Sequence, residues 1–188
     1  MNRKKLMALA CCLALIFSFR AVAPAAEPKP KPKVGQSVGN LTFPKPLSKE
    51  DANYLGLAKM DAFSLQDIKS PYVLVEQFTT SCPHCMAQAS VLNDLYTMVR
   101  QDAALKNKLK FLAMGQNNDE NAVKMWKAFH KVPFPVLPDT LSTFGKALNF
   151  SAYPLTIVLD RSGKILFVHI GAFENADAVL KGIKAVVK

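Results

Sequence analysis

Cysteine, histidine and tryptophan are all scarce in this chain: its 188 residues include four Cys, three His and one Trp. So few thiol and imidazole donors argue against a structural zinc site, which takes four ligands. Acid is short as well, with 14 Asp and Glu against 24 Lys and Arg. The longest apolar run, Leu6 to Phe19, holds only fourteen residues. That is about 21 Å of helix at about 1.5 Å per residue, short of a hydrocarbon core of about 30 Å. There is no internal repeat, no nucleotide or flavin fingerprint, and no basic helix with interleaved aromatics. A nucleic-acid partner is therefore not expected despite the basic balance.

What is present at the start has the three-part plan of a secretory signal peptide: Arg3-Lys4-Lys5, the apolar run, then small residues from Ala21 to Ala26. Cleavage after Ala25 makes 1-25 the signal peptide and the protein exported, to the periplasm. The alternative is an uncleaved anchor that tethers the domain to the inner membrane. Cys11 and Cys12 lie inside the apolar run rather than after it, so they read as filler and not as a lipidation site. The leader holds Arg3, Lys4, Lys5 and Arg20 and no acid, so its removal lowers the formal charge from +10 to +6. Residues 26-33 alternate Pro28, Pro30 and Pro32 with Lys29, Lys31 and Lys33, a composition that favours an extended spacer. Residues 34-188 are then long enough for one domain of ordinary size.

Within that domain, 34-70 reads as a lead-in of short strands and turns. Tyr72 to Phe78 is nearly continuous in apolar and β-branched residues, the pattern of a strand buried on both faces. A helix is expected to start at Cys82-Pro83, since proline is tolerated in the first turn, with an apolar stripe of Met86, Ala89, Leu92, Tyr96 and Val99. A strand over Leu109 to Met114 follows, then a helix over Asp119 to Lys131 with Val123, Trp126 and Phe129 on one face. Next come apolar Phe134 to Leu137 and a short helix near Leu141 to Leu148. Leu155 to Asp160 and Ile165 to His169, joined by Arg161-Ser162-Gly163-Lys164, form a hairpin, and a helix over Ala176 to Val187 closes the chain. Strands alternating with helices, then a hairpin and a helix, predict an α/β fold with a mixed sheet covered by helices on both faces.

The chemistry is carried by Cys82-Pro83-His84-Cys85. Two cysteines at this spacing can attach haem, bind zinc, staple a loop or exchange electrons. Haem attachment needs a histidine at 86, where Met86 stands. A disulfide that closes so small a loop restricts the unfolded chain very little. The redox reading remains, with a physical basis: free N–H groups and the positive end of the dipole at a helix N-terminus stabilise a thiolate. Cys82, where the helix starts, is then the exposed attacker and Cys85, one turn in, the resolving thiol. His84 adds a donor, or a positive charge when protonated, which favours the reduced form of the pair.

Strand, turn, Cys-Pro-His-Cys and helix together resemble the thioredoxin superfamily, and the motif is identical to the active site of DsbA-type oxidases. The resemblance implies further roles. Glu76, six residues before Cys82, corresponds to the buried acid that relays a proton to the resolving cysteine, as a carboxyl with a pKa raised by burial can. Tyr153-Pro154 is similar to the family's cis-proline, beside the redox pair, where an extended substrate segment docks. Sixty-eight residues separate Cys85 from Pro154. That leaves room for an extra strand and helix but not for the large helical domain of DsbA-type proteins, so the layout resembles the TlpA-like and redoxin branch over 34-188. Ser81, where most TlpA-like proteins carry tryptophan, and the Pro-His pair depart from that branch.

The function implied is a thiol:disulfide oxidoreductase that needs no cofactor. It would act on exported proteins with cysteines or disulfides and be recycled by a redox partner protein. The layout implies a reductant and the dipeptide an oxidant or isomerase, so the direction stays open. Two alternatives belong to other classes. One is a peroxiredoxin-like peroxidase, suggested by Thr79 three residues before Cys82, although that family's proline would fall at Val75. The other is a non-enzymatic copper carrier using Cys82, Cys85, Met86 or His84 as soft ligands.

Overall fold

A computed structural model describes residues 30-188. The expected signal peptide 1-25, with Cys11 and Cys12, and the first half of the spacer, 26-29, lie outside the described residues. Thirteen numbered or minor elements follow in order. The lead-in holds β1 (Thr42–Phe43), α1 (Lys49–Leu55) and β2 (Phe63–Ser64), and one 3-10 turn over Leu65–Asp67. Then come β3 (Tyr72–Phe78), α2 (Pro83–Gln101), β4 (Leu109–Gln116), α3 (Glu120–Phe129), β5 (Val136–Asp139) and α4 (Thr143–Ala147). The chain ends with β6 (Leu155–Asp160), β7 (Ile165–Ile170) and α5 (Ala176–Val186). Among the described residues no helix is long and apolar enough to cross a membrane.

The main sheet has the order β5-β4-β3-β6-β7. β4 pairs in parallel with β3 and β5, whereas β6 runs antiparallel to both β3 and β7. β3 is therefore central, which is why it is apolar on both faces. Leu74 and Phe78 pack with Ala89, Leu92, Leu95 and Val99 of α2, with Trp126 of α3 and with Val179 and Ile183 of α5. Val73 and Val75 pack on the other side with Leu55 of α1, Phe63, and Phe144 and Leu148 beside α4. Period-two alternation along the strand assigns Glu76 to the α2 side and Gln77 to the other.

Three expectations are corrected. The lead-in contains a helix: Ser48 caps α1 by accepting the Asp51 N–H, Glu50 and Asp51 sit in its first turn, and Gly56 ends it at φ 76. Phe129 does not join Val123 and Trp126 in the core and is 82% exposed. Each step of three residues lags a helical stripe by about 60°, so two steps carry Phe129 off the buried face. Met86 is likewise 45% exposed, and the stripe of α2 runs through Cys85, Gln88, Ala89, Leu92, Leu95 and Val99 instead. The hairpin turn is set by Gly163 at φ 80, where a Cβ would lie 2.5 Å from the Gly39 carbonyl oxygen.

Candidate active site

β3 ends at Phe78, and a short loop delivers Cys82 to the start of α2. Cys82 is the N-cap of this helix: its sulfur accepts the Cys85 main-chain N–H at 3.3 Å, and Pro83 opens the first turn without wasting a donor. The loop is pinned from the neighbouring β4–α3 connection. Asn118 Oδ1 accepts the Thr80 N–H at 3.0 Å and Asn118 Nδ2 donates to Thr80 Oγ1 at 2.9 Å. Phe78 packs on Trp126 with the rings tilted by 32° and 4.7 Å between centroids.

Both cysteines are free thiols. Cys82 is 8% exposed and Cys85 2%, so the outer sulfur is more covered than an exposed attacker was expected to be, though it is still the more accessible. Burial pushes the Cys85 thiol up, the neighbouring Cys82 sulfur adds to this, and the Thr79 main chain opposes it. Cys85 is thus held as a neutral thiol. His84 is exposed on the first turn. Across from the pair, the Tyr153–Pro154 peptide is cis, and the Tyr153 carbonyl oxygen lies 3.9 Å from Cys82 Sγ. Gln77 Nε2 donates to the Ala152 carbonyl at 3.1 Å and the Gly171 N–H to the Pro154 carbonyl at 2.9 Å, which fix this loop from both sides.

Glu76 lies beneath Cys85, 4% exposed. Its pKa is pushed up to about 8 by burial, opposed by hydrogen bonds from Thr156 and Gln88. Gln88 Nε2 donates to Glu76 Oε1 at 2.7 Å and the Thr156 hydroxyl donates to Oε2. A cavity of about 20 Å³ is lined by Glu76, Cys85, Gln88 and Trp126 among others, about the size needed for one water. The structure thus gathers Cys82, Cys85, Glu76, Tyr153 and Pro154 at the C-terminal end of β3, with His84 at the rim.

Gln88, Thr156 and Asn118 belong to this site and were not singled out from sequence. The available signal was a polar residue inside an apolar stretch: Gln88 beside Cys85 and Ala89, Thr156 between Leu155 and Ile157. Among the described residues no three His, Cys, Asp or Glu side chains gather into a metal-binding group. Grooves of about 660, 500 and 490 Å³ border the Gly56–Lys69 region, the edge between α2 and α5, and the β1–α4 region, and none is lined by the cysteines.

The mixed α/β sheet, the cysteine pair at a helix N-terminus and the facing cis-proline define a thioredoxin-like fold. The family model described as Redoxin matches residues 33–183, and the chain belongs to that family. It is similar to the thioredoxin-like protein YneN of Bacillus subtilis, with 29% identity over 117 residues, 61% of this chain. That match spans 65% of the relative's length. Among solved structures it resembles the thioredoxin domain of a thiol-disulfide oxidoreductase from Bacteroides vulgatus, with a TM-score of 0.62, 16% identity, and 84% of this chain and 100% of that one covered. It also resembles a secreted Mycobacterium tuberculosis disulfide oxidoreductase homologous to E. coli DsbE, with a TM-score of 0.57, 15% identity, and 77% and 95% covered. At these identities the likeness is one of fold.

Proposed function

We propose that the protein is an exported thiol:disulfide oxidoreductase that works through Cys82 and Cys85. The observation that carries this reading is the Cys85 N–H donated to Cys82 Sγ at the start of α2, with the Tyr153 carbonyl 3.9 Å from the same sulfur. Cys82 attacks a partner disulfide as thiolate and forms a mixed disulfide, releasing one partner sulfur as thiolate. Cys85 gives its proton to Glu76 and attacks Cys82 Sγ, which closes the Cys82–Cys85 disulfide and frees the second partner sulfur. The partner gains two electrons and the pair loses two; the reverse sequence oxidises a partner dithiol. Tyr153 and Pro154 form the wall against which the partner segment lies. The leader of residues 1-25, and the word secreted in the description of the Mycobacterium tuberculosis structure, support export.

Direction follows from what stabilises the reduced pair. The reduced Cys82 Sγ accepts the Cys85 N–H at the helix N-terminus, and Pro83-His84 is the dipeptide of the DsbA-type oxidases. Both favour the dithiol, so the pair is read as an oxidant or isomerase of exported proteins. The test is the reduction potential of the full chain equilibrated in glutathione and dithiothreitol buffers. About −120 to −180 mV is expected; about −270 mV would make it a reductant. Failure to form any reversible Cys82–Cys85 disulfide would end the oxidoreductase reading.

A further inference from the structure

Gln88 is buried one turn after Cys85, and its bonds run to Glu76, Thr156 and Phe173 rather than to either sulfur. The Phe173 main-chain N–H donates to Gln88 Oε1 at 3.0 Å. A peptide N–H cannot accept, so this bond settles which end of the amide is oxygen and turns the NH₂ end inward. Nε2 then spends its two hydrogens on Glu76 Oε1 at 2.7 Å and Thr156 Oγ1 at 3.3 Å. Thr156, having accepted one hydrogen, donates its own to Glu76 Oε2. The ring closes with every hydrogen placed and both carboxyl oxygens accepting.

That polarity favours the carboxylate over the acid and so works against the burial that raises the Glu76 pKa. A proton on Oε1 facing Gln88 would set two donors against each other. One on Oε2 facing Thr156 would leave the threonine hydrogen without an acceptor in the ring, and a buried unmatched donor is costly. The groups that face this carboxyl are few. Cys85 is the titratable one from α2; Ala113 on β4 and Thr156 on β6 flank Glu76 in the sheet, and His169 on β7 stands opposite Thr156 with its ring 4.8 Å from that of Phe173.

We propose that Gln88 is a positioning residue for the proton relay: locked by the Phe173 main chain, it presents only donors to Glu76 and so sets the pH at which that carboxyl holds or yields a proton beside Cys85. This rests on Glu76 being the relay. The same corner, Gly171 to Phe173, grips the partner-facing loop through the Gly171 N–H on the Pro154 carbonyl. The loop that meets a substrate and the amide that orients the relay therefore share one support.

The test titrates Glu76 in the reduced full chain by the infrared band of the protonated carboxyl, with Glu76→Gln subtracted to exclude other groups. Gln88→Met keeps the volume and removes the donors; its Glu76 midpoint is expected to rise by about one to two pH units, tenfold to a hundredfold in proton affinity. Gln88→Glu keeps an acceptor for Phe173 and replaces the inner donor, and is expected to move the midpoint the same way. In the unsubstituted protein the Gln88 side-chain amide resonances must follow the Glu76 midpoint, a reading that needs no variant to fold. Flat amide resonances, or folded Gln88 variants with an unmoved midpoint, would overturn the proposal. If Gln88 variants shift the midpoint but Glu76→Gln leaves the pH profile of disulfide exchange unchanged, the relay reading fails and the positioning stands.

Discussion

Glu76 costs stability where its proton is lost. Its ordinary value is 4.5 and its folded value about 8. Between the two the folded state binds more protons than the unfolded chain, so stability is greatest below the lower value and falls as pH rises through the higher. The loss is on the order of a few kcal/mol. Urea unfolding at pH 5 and pH 8.5 is expected to show this fall in the wild type and to lose it in Glu76→Leu; an equal fall in both would assign the dependence elsewhere. The cysteines are expected to divide by position. Cys85→Ser should accumulate mixed disulfides with disulfide-bearing partners, one partner sulfur leaving as thiolate, seen as adducts on non-reducing gels, whereas Cys82→Ser should form none. Glu76 was singled out through the family resemblance, as the acid six residues before Cys82, and the structure places it buried near the end of β3. Its partners were not singled out, because Gln88 and Thr156 meet it only through the packing of α2 on β3 and the register that sets Glu76 opposite Thr156.

At the scale of elements, the strands and the helix that opens at the cysteines were readable because their signals are local: β-branched runs, a proline in the first turn, a glycine turn. α1 was missed because its seven residues bury only Asp51, Ala52 and Leu55, too few to show a period. The capping residues Ser48 and Asp51 were its one usable mark. The active-site loop depends on a contact between two connections, Asn118 with Thr80, and Asn118→Ala is expected to cost about 1–3 kcal/mol by leaving the partly buried Thr80 N–H without its partner. Slower or less specific exchange at Cys82 should accompany it, measured against Asn118→Ser. The face of α3 gives a sharper contrast. Trp126 is buried against Phe78 and Phe129 is exposed, so Trp126→Ala should lose about 3–5 kcal/mol in urea, while Phe129→Ser should stay within about 0.5 kcal/mol. Comparable losses would restore Phe129 to the core.

For the molecule as a whole, redox poise and folding stability are one quantity seen from two sides. Oxidising the folded protein and oxidising its unfolded chain form a thermodynamic cycle with unfolding of the two forms. Any excess of the folded pair's potential over that of the unfolded pair therefore appears as extra stability of the reduced state. About 30 mV corresponds to about 1.4 kcal/mol for this two-electron couple. The site's features act on the reduced side of that cycle: the free Cys82 Sγ accepts the Cys85 N–H at the start of α2, and a disulfide sulfur is a weaker acceptor for the same bond. The reduced protein is accordingly expected to unfold at higher urea than the oxidised one, by an amount matching the excess of the folded pair's potential over the unfolded pair's. The opposite order, with the oxidised form the more stable, would mean that the fold stabilises the disulfide and that electrons leave this pair for its partners. Because this difference needs no partner protein and no redox buffer, it reads the direction of electron flow independently of the titration that tests the function.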